Sequence, residues 1–127
     1  DFYLCLMSTV KQTLVIGASE NPDRYSNMAI KMLREHDIPT LAYGNKEGQV
    51  LDVIIEKKLP SVKCDTVTLY LSAKNQVSIM DAVLDMAPRR VIFNPGTENE
   101  EFEQLLGRKG ILALRACTLV LLSTGQY

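Results

Sequence analysis

A turn of small residues followed by an arginine is the stretch of this sequence best suited to chemistry. The apolar run at 14–16 stops at 17–19, Gly-Ala-Ser, as a buried parallel strand does when it leaves its sheet. Arg24 follows, and Ser26 or Asn27 then offers a cap for a helix. Main-chain N–H groups and a positive side chain would therefore meet at a helix N terminus, which favours phosphate binding. A tight structural turn is the alternative.

This turn departs from the fingerprint of nicotinamide dinucleotide sites. That fingerprint, Gly-x-Gly-x-x-Gly, uses its glycines for the turn, for the pyrophosphate and for helix packing. Only Gly17 is present here, with Ser19 at the second position and Pro22 near the third. Ordinary NAD binding is therefore disfavoured.

Residues suited to catalysis are scarce. The only histidine, His36, falls at the end of a predicted helix, where a surface cap is the simpler interpretation. Cys117 is the better nucleophile, because it follows a strand beside Arg115, whose positive charge favours a thiolate. No histidine accompanies it, so a buried structural cysteine is the competing interpretation. We therefore assign no catalytic residue.

The cysteines and acidic residues indicate a cellular location and argue against a metal site. Cys5, Cys64 and Cys117 are odd in number and include no Cys-x-x-Cys pair. This spacing favours reduced thiols in the cytoplasm over a zinc site or a disulfide framework. The acidic residues within 98–103 are interpreted as complementing a helix dipole rather than binding a metal. We predict a cytoplasmic protein without a metal.

The elements that would position the turn form a strand, helix, strand unit. Apolar residues at helical spacing predict a helix over about 25–36, and 40–43 reads as a second strand closed by Gly44 and Asn45. No acidic residue ends this strand to hold ribose hydroxyls. Lys46 instead gives a neutral or positive rim, compatible with a phosphorylated ribose, although a solvated turn explains it equally well.

The rest of the chain repeats the alternation of strands and helices. Strands are predicted at 66–71, 88–94 and 110–114, helices at 77–86 and 102–107, and a loop with a small strand within 46–55. This alternation predicts an α/β fold with a three-layer, doubly wound parallel sheet. In such sheets, ligands bind at the carboxyl ends of the strands, near the switch in strand order.

Composition defines the class of protein and excludes some partners. The 127 residues are 46% hydrophobic and 23% charged, which suits one globular domain. A net charge of -1 gives no basic field, so neither nucleic acid nor a membrane surface is expected as a partner. No apolar stretch approaches the roughly 18 to 20 residues of a membrane span.

Both ends of the chain carry apolar segments. Residues 1–6 lack the basic region of a signal peptide, so we expect Met7 to be the native start, with an N-terminal extension at 1–10 and the domain at 11–127. The tail at 118–122 is apolar enough that we expect it to be buried against another surface. It packs either on the protein's own sheet or against a second subunit, as a homodimer or a partner-subunit contact.

Several short motifs lie at the predicted strand ends and in the loops that follow them. They are Gly17-Ala-Ser19, Pro22, Arg24, Ser26, Lys46-Glu-Gly48, Leu69-Tyr-Leu71, Asn94-Pro-Gly96 and Arg115-Ala-Cys117. Together they resemble the CoA-binding domain family, in particular its small stand-alone members, over nearly the whole chain from Lys11 onward. The chain is also similar to the CoA-binding domains of the succinyl-CoA ligase alpha subunit and of ADP-forming acyl-CoA synthetases.

The resemblance implies a Rossmann-like CoA-binding fold, with coenzyme A as the cofactor. It implies phosphate contacts from Gly17, Ser19, Arg24 and Ser26, a ribose phosphate near Lys46, and an adenine side along Leu71, Ser72 and Gln76. The full predicted binding set is Gly17, Ala18, Ser19, Arg24, Tyr25, Ser26, Asn27, Lys46, Leu71, Ser72, Gln76, Asn94 and Gly96.

The sequence also departs from the larger relatives. Asn27 stands where some carry a further glycine, and the sequence ends without the second domain that holds their phosphorylated histidine. We therefore predict a small cytoplasmic protein that binds CoA or acyl-CoA through a phosphate-binding loop, as a carrier, sensor or partner subunit rather than an enzyme. The alternatives are an NADP-type transferase or oxidoreductase using Cys117 or Lys46, and a dimeric scaffold with a vestigial crevice.

Overall fold

The structure, a computed structural model, describes residues 11–127. The predictions about an N-terminal extension and a native start at Met7 lie outside the described residues. Strands and helices alternate along this part of the chain, as predicted. They are β1 (Thr13–Ile16), α1 (Tyr25–Glu35), β2 (Thr40–Tyr43), β3 (Gly48–Val50), β4 (Val53–Glu56), β5 (Thr66–Leu69), α2 (Ala73–Gln76), a 3₁₀ turn (Val77–Ile79), α3 (Met80–Met86), β6 (Arg90–Phe93), α4 (Glu100–Arg108), β7 (Leu112–Arg115) and α5 (Thr118–Ser123).

The strands form one sheet in the order β3-β4-β2-β1-β5-β6-β7. All neighbours run parallel except β3, which pairs with β4 as an antiparallel hairpin. From β1 the chain moves outward to β2 on one side and later returns to β5 on the other. The switch in strand order therefore lies between β1 and β5, and the predicted doubly wound α/β fold is confirmed.

The central strand, β1, is buried on both faces, which explains its uninterrupted apolar sequence. Leu14 and Ile16 belong to the core formed with α3 and α4, and Val15 belongs to the core formed with α1 and α5. On the first side, the rings of Phe93 and Phe102 pack edge to face with centroids 5.6 Å apart. Helices on both faces of the sheet make the predicted three layers.

The start of α1 differs from the prediction, because neither Ser26 nor Asn27 caps the helix. The helix begins at Tyr25, and Arg24 occupies the N-cap position without a capping side-chain hydrogen bond. Ser26 and Asn27 lie within the first turn, where they are only 3% and 2% exposed. Neither side chain makes a capping hydrogen bond, so the first turn has no side-chain cap.

Two other segments also differ from the predicted elements. Helical structure begins at Ala73 rather than at Val77, and it passes through a 3₁₀ turn before α3. The segment 46–55 contains two strands rather than one, joined by a turn in which Leu51 has a φ of 53°. Within residues 11–127, no helix has both the length and the apolar surface needed to cross a membrane.

The apolar tail folds as α5 and packs on the protein's own sheet. Thr118 is fully buried and Leu122 is 3% exposed, with Leu122 in the same core as Val15, Ile30 and Leu33. This packing corresponds to the first of the two predicted arrangements, in which the tail packs on the protein's own sheet. The six-residue helix α5 therefore covers the core beside α1.

We predict that Leu122→Ala lowers the free energy of unfolding by about 2 to 5 kcal/mol, because it removes a buried side chain and leaves a cavity. Ile54→Ala is the matched control, since Ile54 is 51% exposed and its loss should cost no more than about 0.5 kcal/mol. Denaturant unfolding of both variants measures the difference. Equal losses in the two variants would show that α5 does not stabilise the domain.

Candidate functional site

A crevice of about 920 Å³ opens at the carboxyl ends of β1, β2, β5 and β6, across the switch in strand order. This is where an open parallel sheet places its ligand site. The loops that follow these four strands supply its walls. The lining residues are Gly17, Ala18, Ser19, Asp23, Arg24, Tyr25, Ser26, Tyr43, Gly44, Asn45, Tyr70, Leu71, Ser72, Asn75, Ser78, Pro95, Gly96 and Thr97.

Gly17 is fixed where β1 ends by contacts on both sides. Its φ is +94°, and a Cβ there would lie 2.9 Å from the main-chain carbon and oxygen of Tyr70. The N–H groups of Gly17 and Ala18 both donate to the Tyr43 carbonyl, each at 2.9 Å. These two N–H groups are therefore used inside the protein, although the resemblance implied a phosphate contact from Gly17. Any contact of Gly17 with a ligand must use its other atoms.

Other N–H groups of the same loop remain open. Among residues 11–127, the main-chain N–H groups of Ser19, Tyr25 and Ser26 have no hydrogen-bond acceptor. Tyr25 and Ser26 are the first residues of α1, where the helix dipole is positive. The exposed Arg24 adds a full positive charge beside them, whereas Asp23 adds a negative one. The loop thus offers N–H donors and a cation to an anion.

Asn27 holds this loop through a side-chain hydrogen bond and does not line the crevice. Its Nδ2 donates to the Ser19 carbonyl at 3.0 Å, which holds the loop against the first turn of α1. Its Oδ1 is buried and has no hydrogen-bond partner within residues 11–127. The structure therefore gives Asn27 a place beneath the loop rather than at its surface.

Gln76 joins the walls that follow β5 and β6. It is fully buried, and its Nε2 donates to the carbonyls of Leu71 and Thr97 at 2.8 and 2.7 Å. Its Oε1 accepts from Asn99 Nδ2 at 2.9 Å, and the Asn99 side chain also caps α4 through the Phe102 N–H. Gln76 was predicted on the adenine side, but the nitrogen and oxygen of its amide both form hydrogen bonds that hold the two walls together.

Asn94 is likewise a buried support behind the crevice. Its Nδ2 donates to Thr68 Oγ1 and to the Leu69 carbonyl at 2.7 and 2.8 Å, and its Oδ1 accepts from the Thr118 N–H at 2.9 Å. Asn94 therefore ties the end of β5 to the start of α5. Gly96, two residues later, has a φ of +92° and lines the crevice.

Lys46 lies beside the crevice rather than in it. It lines a smaller cavity of about 280 Å³ that shares Ala18, Ser19 and Asn45 with the main crevice. Glu20 and Glu47 line the same cavity, so two negative charges accompany the positive charge of Lys46 there. Of the predicted binding set, Asn27, Lys46, Gln76 and Asn94 are thus the members outside the main crevice.

The residues considered for catalysis lie away from the crevice walls. Arg115 forms an ion pair with Glu103 at 2.9 Å, so its guanidinium is directed to that carboxylate rather than to Cys117. Cys117 is the N-cap residue of α5, and His36 is the C-cap residue of α1, with Nδ1 2.8 Å from the Met32 carbonyl. Within the part of the chain described, no three His, Cys, Asp or Glu side chains meet as a metal site.

Tyr43 and Tyr70 are lining residues that the sequence analysis did not assign to the site. Tyr43 is the last residue of β2, and Tyr70 directly follows β5, so their positions at strand ends could have indicated them. The Tyr70 hydroxyl is buried and has no hydrogen-bond partner in residues 11–127. The hydroxyls of Thr68 and Thr118 bond to each other at 2.8 Å. Burial raises the pKa of Tyr70 to about 12.

Comparison with known proteins gives the family of this chain. A family model described as a CoA binding domain matches residues 11–123. The crystal structure of an uncharacterized protein is 42% identical, with a TM-score of 0.90, and the match covers 94% of this chain and 99% of that one. The search of the curated proteins gave no match.

Two more distant structures share the fold. The structure of cell-free ID.343 from Thermus thermophilus is 19% identical, with a TM-score of 0.79 over 99% of this chain and 97% of that one. The dinucleotide forming acetyl-coenzyme A synthetase 1 of Ca. Korarchaeum cryptofilum, in complex with phosphate and ADP, is 15% identical, with a TM-score of 0.66 over 83% of this chain and 25% of that one.

The sheet, the crevice at its switch point and the match over residues 11–123 define one class of protein. This chain belongs to the CoA binding domain family. Membership supports coenzyme A as the cofactor, as the resemblance of the short motifs implied.

Tyr70 yields a prediction about pH. Its pKa is raised from 10.0 to about 12, so the stability that it contributes is complete below pH 10 and is lost as the pH rises from about 10 towards 12. We expect Tyr70→Phe to lose stability less steeply than the wild type across this range, measured by denaturant unfolding at several pH values. Ile54→Ala, at a 51% exposed site without a titrating group, should keep the wild-type slope. A wild-type slope in Tyr70→Phe would contradict the assignment.

Proposed function

We propose that this protein binds coenzyme A or an acyl-CoA in the crevice, with a phosphate group at the N terminus of α1. One observation carries the proposal: the N–H groups of Ser19, Tyr25 and Ser26 lack acceptors within residues 11–127, and Arg24 stands beside them. Open N–H groups at the positive end of an 11-residue helix are suited to a phosphate. The family match supports CoA as the source of that phosphate.

The donors around the crevice fit the chemistry of this ligand. Ser19, Ser26 and Ser72 line the crevice together with Arg24, so residues with charge-assisted and with neutral donors surround a phosphate there. Asp23 opposes an anion, which favours binding on the Arg24 side of the loop. A volume of about 920 Å³ is at the upper end of ordinary ligand pockets, which suits an extended nucleotide.

The end of β2 favours CoA over NAD. In a dinucleotide site, an acidic residue there holds the ribose hydroxyls. Here β2 ends at Tyr43, and Gly44 and Asn45 follow it in the chain. All three residues line the crevice, and none of them carries a carboxylate. The neighbouring Lys46 gives the adjoining cavity a cation that suits a ribose phosphate, although Glu20 and Glu47 weaken this attraction.

We also propose that binding is not coupled to catalysis. Among the lining residues, Asp23 and Arg24 are the charged side chains, and neither histidine, cysteine nor lysine is present. Such a wall supplies phosphate contacts but no nucleophile with an adjacent base. The role that fits is a cytoplasmic carrier, sensor or partner subunit, with residues 11–127 as the binding domain.

The proposal predicts selective stabilisation by CoA. A ligand that binds only the folded state raises the free energy of unfolding by about 2.7 kcal/mol at 100 times its Kd. We expect CoA to raise the melting temperature more than equal concentrations of NAD, NADP or ATP, measured by scanning calorimetry. A rise with NAD equal to or larger than that with CoA would refute the CoA assignment.

Arg24→Ala should weaken CoA binding by roughly 1.5 to 3 kcal/mol, the range for one charge-assisted hydrogen bond. This corresponds to about tenfold to a little over a hundredfold in Kd, measured by titration calorimetry. The fold should survive, because the Arg24 side chain is exposed. Arg108→Ala is the matched control, since this exposed arginine ends α4 away from the crevice, and it should keep wild-type affinity. Unchanged affinity in Arg24→Ala would remove Arg24 from the site.

A further inference from the structure

Tyr25 is the large apolar side chain of the crevice that stands in solvent. The other large apolar residues of the lining, Tyr43, Tyr70 and Leu71, are half-buried, whereas Tyr25 is 69% exposed. Its ring therefore keeps most of its apolar surface in water at the margin of the proposed binding site. A ligand in the crevice can gain contact with this ring.

The fold makes no use of the Tyr25 ring in the part of the chain that the structure describes. Neither core includes it, and within residues 11–127 it takes part in no aromatic pair and no cation–π contact. Tyr25 opens α1, and tyrosine is neither a capping residue nor a strong helix former. Replacing the ring should thus leave the domain folded.

The ring belongs to a residue whose own N–H group is a proposed phosphate donor. The N–H groups of Tyr25 and Ser26 have no acceptor among residues 11–127. Within Tyr25, only Cα and Cβ separate the nitrogen from the ring. A phosphate that accepts from these N–H groups is therefore a close neighbour of the ring. The part of the ligand that contacts the ring must be covalently near the phosphate.

Coenzyme A carries an apolar group at that distance on one side of its diphosphate. In the pantoyl unit, one oxygen and one methylene separate the phosphorus from a carbon that bears two methyl groups. On the other side, the whole ribose separates the phosphorus from the adenine, and the ribose is polar. The methyl groups are therefore the apolar part of CoA that a ring beside the phosphate meets first, and contact removes both surfaces from water.

We propose that the Tyr25 ring packs against the dimethyl group of the pantoyl unit and selects CoA over other nucleotides. The inference rests on the proposed binding of CoA in the crevice. The open N–H groups and Arg24 offer the same contacts to any diphosphate, so they do not distinguish CoA from NAD or ADP. In NAD, a second ribose takes the place of the pantoyl unit. Its hydroxyls lose water against the ring without gaining a hydrogen bond from it.

The two halves of CoA make the test specific for the pantoyl unit. The ligands are CoA, 4′-phosphopantetheine, which keeps the pantoyl unit, and adenosine 3′,5′-bisphosphate, which lacks it. The variants are Tyr25→Ala and Tyr25→Phe. Met28→Ala is the matched control, because Met28 lies one turn further along α1, is 39% exposed and does not line the crevice. Titration calorimetry gives the Kd of CoA, displacement of CoA gives that of each half, and circular dichroism shows that each variant is folded.

We expect Tyr25→Ala to raise the Kd of CoA and of 4′-phosphopantetheine by about tenfold, the size expected when two methyl groups lose their cover. The Kd of adenosine 3′,5′-bisphosphate should not change. Tyr25→Phe should bind all three ligands like the wild type, because it keeps the ring, and so should Met28→Ala.

Three results would overturn the inference while leaving CoA binding in place. They are wild-type affinity of Tyr25→Ala for CoA, an equal loss for adenosine 3′,5′-bisphosphate, which would put the ring against the nucleoside, and a loss in Tyr25→Phe, which would assign the contact to the hydroxyl. A wild-type protein that does not bind CoA would instead refute the proposed function, and this inference with it.

Discussion

The crevice depends on the close packing of the main chain at Gly17 between its two neighbouring strands. On one side, the N–H groups of Gly17 and Ala18 donate to the Tyr43 carbonyl of β2. On the other side, Gly17 approaches the Tyr70 main chain after β5 so closely that a Cβ would not fit. These contacts fix the direction in which the chain leaves β1, and hence where α1 begins. The open N–H groups of the first turn are therefore presented at the switch point.

A second set of constraints holds the opposite wall in place. The buried amides of Gln76 and Asn94 connect the loops after β5 and β6 with the starts of α4 and α5. Buried amides of this kind keep a single arrangement, because breaking any one bond leaves a polar group without water. The shape of the crevice is thus set by side chains that lie behind its surface.

The walls of the crevice could be predicted from the sequence only in part, and the buried amides that lie outside them share one cause. Residue types at strand ends located the loops, so Arg24, Ser72 and Gly96 do line the crevice. Gln76 and Asn94 were assigned there for the same reason, yet their side chains turn inwards. Whether an amide faces a ligand or a carbonyl of the next loop depends on contacts between residues far apart in the sequence. Local pattern contains no information about such contacts.

The sequence by itself determined the alternation of strands and helices, the parallel sheet and the position of the turn at Gly17, because apolar periodicity and turn chemistry are local properties. Only the tertiary structure decided which N–H groups stay open, that α1 starts without a side-chain cap, and that Arg115 pairs with Glu103 rather than with Cys117. Hydrogen bonds and ion pairs form between neighbours in space. The order of strands in the sheet, which the chain sequence does not state, sets those neighbours.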